Sequence, residues 1–335
     1  MNSMVPDLLS DPFRERGPLI AAAPLQLLGG RFRFESNSQQ LLSLVNCAYA
    51  GLPRHKLSAV VPHMRVRLVL TAGERARRRS EPPALEMLSG AGLLGGATDS
   101  SNFVVLSPAQ RAALVAVSPR MLRFPYHTRY ELIEFAVFTL AARVQQLVSM
   151  HAACVGRRGR GLLLMGPSGA GKSTVALQCL LQGLDFLSED SVFVTPDTLL
   201  ATGIANFLHV RSDSLRWIAQ AREVARIRES RVIQRRSGVR KFEIDLRRGG
   251  YRLAASALKI GAVVFLSARS AGRRRLLQPL SRSALLARLT AAQAYAANQP
   301  GWSAFQRSLS HLEAFELRRG AHPLESVAAL QELIG

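Results

Sequence analysis

The sequence predicts an α/β protein with a P-loop core, preceded by a smaller α+β domain. Three observations predict it. Leu162 to Met165 reads as a buried strand, and Val175 to Gln182 has the apolar spacing of a helix. Between them, Gly166-Pro167-Ser168-Gly169-Ala170-Gly171-Lys172-Ser173 fits G-x-x-x-x-G-K-[ST], a loop that cradles phosphate. Upstream, two runs that alternate in period two, Arg31 to Glu35 and Met64 to Leu70, flank a helical pattern from Gln39 to Ala50.

The loop carries its own chemistry. Glycines let the backbone turn tightly and aim N–H groups at an anion, and the following helix adds the positive end of its dipole. Lys172 would reach the β- and γ-phosphates, and the Ser173 hydroxyl would bind Mg²⁺. The expected nucleotide contacts are Gly166, Pro167, Ser168, Gly169, Ala170, Gly171, Lys172, Ser173 and Thr174, with ATP and Mg²⁺ as ligands. A glycine-rich turn that matches by accident is the alternative. At ordinary residue frequencies a random chain of this size would match about one time in a hundred.

Composition narrows the classes. The 335 residues suffice for one large or two ordinary domains, and 48% hydrophobic with 20% charged content argues against disorder. No apolar run is long enough to span a bilayer, and Asp7, Asp11 and Glu15 interrupt any signal-like pattern at the start. A cytoplasmic protein without a membrane partner is the expectation; a homo-oligomer is compatible with it. Cys47, Cys154 and Cys179 show no paired spacing, so neither disulfide nor metal work is expected of them. The net charge of +21 invites a nucleic-acid reading. Yet lysine stands only at Lys56, Lys172, Lys241 and Lys259, so forty of the 44 basic residues are arginine, a skew that reads as base-composition bias. The charge is also dispersed outside Arg75 to Arg79 and Arg226 to Arg248, so nucleic acid is not expected as the principal partner.

Taken in order, residues 1–24 read as an N-terminal arm, 25–125 as the α+β accessory domain and 126–335 as the catalytic domain. Thr71 to Asp99 is rich in Gly, Arg, Pro and Ser and reads as a long surface loop. Phe103 to Leu106 and Ala113 to Val117 are strand candidates, and His127 to Val148 is the strongest helical pattern. Met150 to Val155, a turn over Gly156 to Arg160, and Gly161 to Met165 read as a hairpin entering the loop. If that hairpin is tight, His151 lies across from the phosphate loop. A lone strand histidine is more often a hydrogen-bonded structural residue.

Beyond the loop helix, Gly183 makes a C-cap, and Leu184 to Leu187 leads into Ser188-Glu189-Asp190-Ser191 before a strand at Val192 to Val194. One strand beside the loop strand would bring these adjacent carboxylates near a γ-phosphate. There one could hold Mg²⁺ through water and the other take a proton from an attacking hydroxyl. A polar turn is the bland alternative. The apolar strand Gly261 to Ala268 carries no acid, so it cannot supply the metal ligand. No N-K-x-D or L-S-G-G-Q run is present, which weakens GTPase and transporter readings.

His151-Ala152-Ala153, Gly166 to Ser173 and Leu187-Ser188-Glu189-Asp190-Ser191-Val192 together resemble the C-terminal catalytic domain of HPr kinase/phosphorylase. They look still more like the HPr-kinase-like serine kinases of bacterial peptide-modification operons. The resemblance implies a P-loop kinase core related to phosphoenolpyruvate carboxykinase, fused to an N-terminal α/β domain. It implies that His151 assists phosphate or substrate handling, that Glu189 stands where the general base stands, and Asp190 where a metal-associated acid stands. It covers residues 127–270 and is motif-specific over 151–194. Two departures matter: the first acid is Glu rather than Asp, and the family's Gly-rich segment is only loosely echoed by Thr202 to Arg211. Phosphorylase activity and HPr as substrate are therefore not carried over.

Later stretches fit a kinase without proving one. Arg240 and Lys241 could clamp phosphate or an acidic peptide, or form a solvated turn. Arg226 to Arg236 could be a mobile basic loop over the acceptor site or simply an exposed helix. Ser281 to Ala297 and Leu324 to Ile334 read as helices, with Trp302 and Phe305 in the core. The function expected first is an ATP-Mg²⁺-dependent kinase acting on a hydroxyl, with serine of a protein or peptide as acceptor. Lys172, Glu189 and His151 would be catalytic, and Ser173 and Asp190 would face the metal. A small-metabolite kinase and a nucleotide-sensing or nucleic-acid-binding ATPase remain as alternatives.

Overall fold

The computed structural model describes residues 19–21, 24–71, 81–273 and 275–335. Arg75 to Arg79 and most of the expected arm lie outside the described residues. Two compact units divide the chain, the first including Phe32–Ala48 and His63–Leu140, the second Gln26–Arg31, Tyr49–Pro62 and Ala141–Gly335. The chain passes between them more than once, and from Ala141 onward it stays in the second. Among the described residues the strands form sheets of eight, nine and three strands, and no described helix is long and apolar enough to cross a membrane.

In the eight-stranded sheet run β1 (Ile20–Ala21), β2 (Leu25–Leu27), β3 (Gly30–Ser36), β4 (His63–Leu70), β5 (Glu86–Gly90), β6 (Leu93–Asp99), β7 (Asn102–Ser107) and β8 (Ala112–Val117). Their order is β1-β3-β4-β8-β7-β6-β5, with β2 beside β3. Period-two alternation buries Phe32 and Phe34 of β3 and Val66 and Leu68 of β4, and α1 (Gln39–Tyr49) buries Leu41 and Val45. Thr71 to Asp99 is not wholly a loop: β5 and β6 form a hairpin within it. Gly92 makes the hairpin turn with φ of 77°, but Gly95 and Gly96 mislead because they serve close approach rather than turning. A Cβ on Gly95 would stand 2.7 Å from the Val104 carbonyl oxygen of β7. The helix expected from His127 to Val148 is composite, a short α2 (Pro125–His127), a π-type turn over Thr128–Ile133 and α3 (Glu134–Gln145). It stops where Gln146 turns left-handed, at φ 54°, and Val148 starts a strand.

That strand, β9 (Val148–His151), opens the nine-stranded sheet, followed by β10 (Ala153–Arg157), β11 (Arg160–Met165), α4 (Lys172–Leu181), β12 (Asp185–Ser188), β13 (Ser191–Val194) and β14 (Leu200–Gly203). The three-stranded sheet holds β15 (Phe207–Val210), β16 (Arg231–Gln234) and β17 (Arg240–Asp245), with α5 (Ala221–Glu229) before β16. Arg226 to Arg236 is therefore the end of a helix, a strand and the start of a turn. The chain then forms β18 (Leu258–Ser270), β19 (Leu277–Pro279), α6 (Arg282–Ala292), α7 (Ala294–Ala297), α8 (Trp302–Leu309), β20 (Glu313–Arg319) and α9 (Pro323–Ile334). Gln293 splits the single helix expected from Ser281 to Ala297.

The strand path is β12-β10-β11-β18-β14-β13-β9, with β20 parallel to β18. β11 and β18 are also parallel, so the apolar run of each is buried on both faces. Leu162, Leu164 and Val264 pack with Ala176 and Leu177 of α4 and Leu330 of α9. Leu163, Met165, Val263 and Phe265 pack on the other side with Leu285, Leu289, Trp302 and Phe305. Each fully buried Val, Leu, Phe or Met among them contributes roughly 1.5–3 kcal/mol relative to leaving it exposed.

Candidate active site

The loop between β11 and α4 leaves the sheet at Gly166 and enters the helix through Gly171, whose φ of 98° requires glycine. Pro167, Ser168 and Gly169 are exposed, while Ala170 is buried beneath them. Lys172, Ser173 and Thr174 form the first turn of α4, where helix N–H groups have no intrahelical acceptor. The loop thus opens its donors onto a cleft of about 590 Å³ lined by the same residues, Gly166 excepted.

Register explains what the loop faces. β9 and β10 are separated by Ala152 alone, and β12 and β13 by Glu189-Asp190 alone, so each pair is one ribbon with a bend. Ser191 pairs with His151 and Ser188 with Cys154, which sets Glu189 and Asp190 opposite Ala152 and Ala153. The tight β10–β11 hairpin, pairing Ala153 with Leu164, continues to bring His151 level with Gly166. Bend, bend and loop therefore meet at one edge. β10 lies between β12 and the loop strand β11, so the acidic pair does not follow a direct neighbour of β11, as the sequence suggested. The bend delivers it instead.

The side chains connect. Lys172 Nζ donates to His151 Nε2 at 3.1 Å, and His151 Nδ1 lies 3.0 Å from Asp190 Oδ1. Gln293 holds the His151 backbone, accepting its N–H at 2.8 Å and donating to its carbonyl at 3.0 Å. The Ser173 hydroxyl donates to Glu189 Oε1, while Glu189 Oε2 accepts the His209 backbone N–H at 3.0 Å. Behind it, His209 Nε2 lies 3.4 Å from Glu243 Oε1, and all three side chains are buried. Thr174 Oγ1 and Ser214 Oγ lie 3.0 Å apart.

The charges are strongly coupled. Burial pushes the Lys172 ammonium down; Asp190 and Glu189 oppose this, and Arg235 adds to it. For Asp190 burial acts upward but is outweighed by the His151 hydrogen bond and by the charges of His151, Arg235 and Lys172, so its carboxyl sits well below the usual range. Asp190 is 47% exposed, so its cationic neighbours, not its burial, decide the direction. Lys241 is likewise pushed down by burial and by Arg235.

All the residues expected at the site converge here: His151, the loop from Gly166 to Thr174, Glu189 and Asp190. Gly166 underlies the loop, where an added Cβ would stand 3.0 Å from the Leu266 carbonyl oxygen. The residues suit a Mg²⁺-nucleotide: an open loop over a helix start and a hydroxyl against a carboxylate. β18 carries no acid, and Glu316 on the adjacent β20 is occupied by Arg288 Nη2 at 2.7 Å. Sequence reasoning missed the roles of His209 and Glu243, and it placed Arg235 only within the basic segment Arg226 to Arg236. His209 and Glu243 alternate normally along their strands, so nothing local marks them, whereas the run of arginines marks the segment of Arg235 but not which arginine turns to the cleft.

No family model matches the chain. Over 90 residues, 25% of the chain, it is 33% identical to the HPr kinase/phosphorylase of Chlorobium phaeobacteroides (strain BS1). That match spans 26% of the relative's length, about a quarter of it. Among solved structures, the Hpr(Ser) kinase/phosphatase from Coxiella burnetii is matched with a TM-score of 0.27 and 11% identity, over 55% of this chain and 90% of that one. The resemblance read in the motifs is thus met by a sequence relative of that name.

Proposed function

From this relation to the HPr kinase/phosphorylases, we propose that the chain is an ATP- and Mg²⁺-dependent kinase that moves a γ-phosphate onto a hydroxyl. Its acceptor is serine of a protein or peptide in the cytoplasm, and the second unit is a P-loop core akin to phosphoenolpyruvate carboxykinase. One observation carries the reading: Lys172, Ser173, His151, Glu189 and Asp190 meet at one cleft through direct contacts.

The hydrogen bonds favour a division of labour between the acids opposite to that implied by the motif. Glu189 is buried and bonded to the Ser173 hydroxyl, so a Mg²⁺ held by Ser173 would lie beside Glu189 rather than Asp190. Mg²⁺ there would neutralise phosphate charge. Lys172 leaves His151 for the β- and γ-phosphates. Asp190 and His151, a hydrogen-bonded pair open to the cleft, orient the acceptor hydroxyl and take its proton.

Two measurements test this. Lys172→Ala should abolish transfer from γ-labelled ATP, and full activity in that variant would sink the reading. Glu189→Gln should raise the Mg²⁺ needed for nucleotide binding, whereas Asp190→Asn should lower transfer by roughly 10²–10⁴ with Mg²⁺ dependence unchanged. The reverse pattern would return the base to Glu189.

A further inference from the structure

The hairpin joining β16 to β17 reaches the same cleft. Its turn closes through the Gly238 N–H to the Arg235 carbonyl at 2.8 Å and the Arg235 N–H to the Val239 carbonyl at 2.9 Å. Arg235, Ser237, Val239 and Lys241 all line the cleft. Arg235 Nη2 stands 3.8 Å from Asp190 Oδ2, yet its Nε is buried without a hydrogen-bond partner. Native proteins rarely leave a buried donor unmet, and such a donor at a cleft marks a place for a ligand acceptor. Lys172 and Lys241 line the cleft with Arg235, so these three cations share it with Glu189 and Asp190. One of those carboxylates, Glu189, is already engaged by the Ser173 hydroxyl and the His209 amide. The cleft retains a surplus of positive charge and an unmet N–H.

We propose that Arg235 and Lys241 clamp the phosphoryl group in transit, the hairpin acting as an arginine finger supplied by the chain itself. The proposal rests on the nucleotide reading above. During transfer the bond from the γ-phosphorus to the β,γ-bridging oxygen breaks and its electron pair stays on the β-phosphate of ADP. A bond forms from that phosphorus to the acceptor oxygen, whose proton passes to the Asp190–His151 pair. Charge then spreads over the equatorial oxygens of the moving group, where an arginine fork and a lysine point charge act most strongly. Lys172 belongs to the loop and serves the nucleotide before and after; the hairpin acts at the crossing.

Calorimetry with MgADP, alone and with aluminium fluoride as the mimic of the moving group, tests the clamp without knowledge of the acceptor. The unmodified chain should bind MgADP–fluoroaluminate at least about a hundredfold more tightly than MgADP. Arg235→Ala and Lys241→Met should keep MgADP affinity within about twofold and lose most of that enhancement, and Arg235→Lys should recover little of it, because the fork is gone. Retained enhancement in both truncations overturns the clamp, as does an equal loss for MgADP alone, which would make the hairpin a ground-state holder. An unmodified chain that binds MgADP but shows no enhancement overturns the clamp and spares the nucleotide reading. One with no affinity for MgADP overturns both.

Discussion

At Glu189, one side chain joins two elements: Oε1 receives the Ser173 hydroxyl from α4 and Oε2 the His209 amide from β15. An aspartate is one methylene shorter and cannot hold both from the same bend. Glu189→Asp should therefore raise the Mg²⁺ requirement for nucleotide binding roughly tenfold, as loss of a metal-orienting contact does; titration of Mg²⁺ at fixed ATP reads it. A second histidine does structural work. His55 is buried with Nε2 donating to the Ala254 carbonyl at 2.9 Å and Nδ1 2.7 Å from Thr202 Oγ1, and burial pushes its pKa below the ordinary value. The unfolded chain therefore takes up the proton first, at about pH 6.5. Stability should fall as pH drops below that value and continue to fall until the folded-state pKa is passed. Urea midpoints at pH 7.5 and 5.5 should differ less for His55→Gln than for the unmodified chain.

Among elements, the two bent ribbons are decisive. A straight β12–β13 would carry its acids past the sheet edge; the bend turns them back to the loop. The sheet of β15, β16 and β17 then backs the site, since His209 pairs directly with Glu243 across β15 and β17. Removing one partner from a buried polar pair costs the interaction and the desolvation of the group left behind, at roughly 1–3 kcal/mol. Glu243→Leu should thus lower unfolding free energy by about that amount, with His209→Leu in the same chain recovering part of it. A double-mutant cycle by urea denaturation measures the coupling.

Over the whole molecule, the net charge of +21 has a local use at the cleft and a diffuse remainder. Lys172, Arg211, Arg216, Arg235, Lys241, Arg318 and Arg319 line the cleft against Glu189, Asp190 and Asp213, an excess of positive charge that suits an anionic ligand and the charge that develops during transfer. Given γ-labelled ATP and cell extract, the chain should place label in protein; label confined to a small product would favour a metabolite acceptor. A nucleic-acid-binding ATPase would instead show affinity falling steeply with salt, and its absence at low salt removes that reading.

The sequence by itself determined the strand–loop–helix unit, the apolar runs of β11 and β18 and the presence of an acidic pair after the loop helix. These are local facts. Periodicity of two or 3.6 and the glycine demand at Gly171 are read within a few neighbours. Gly95 shows where that limit lies, because its strand is explained only by the Val104 carbonyl of another strand. Only the tertiary structure decided that Lys172 rests on His151, that Glu189 rather than Asp190 meets Ser173, and that Arg235 returns to the cleft forty-six residues after Glu189. Sheet register and chain bends set those meetings, and both depend on pairings between distant segments that leave no mark on the residues between them.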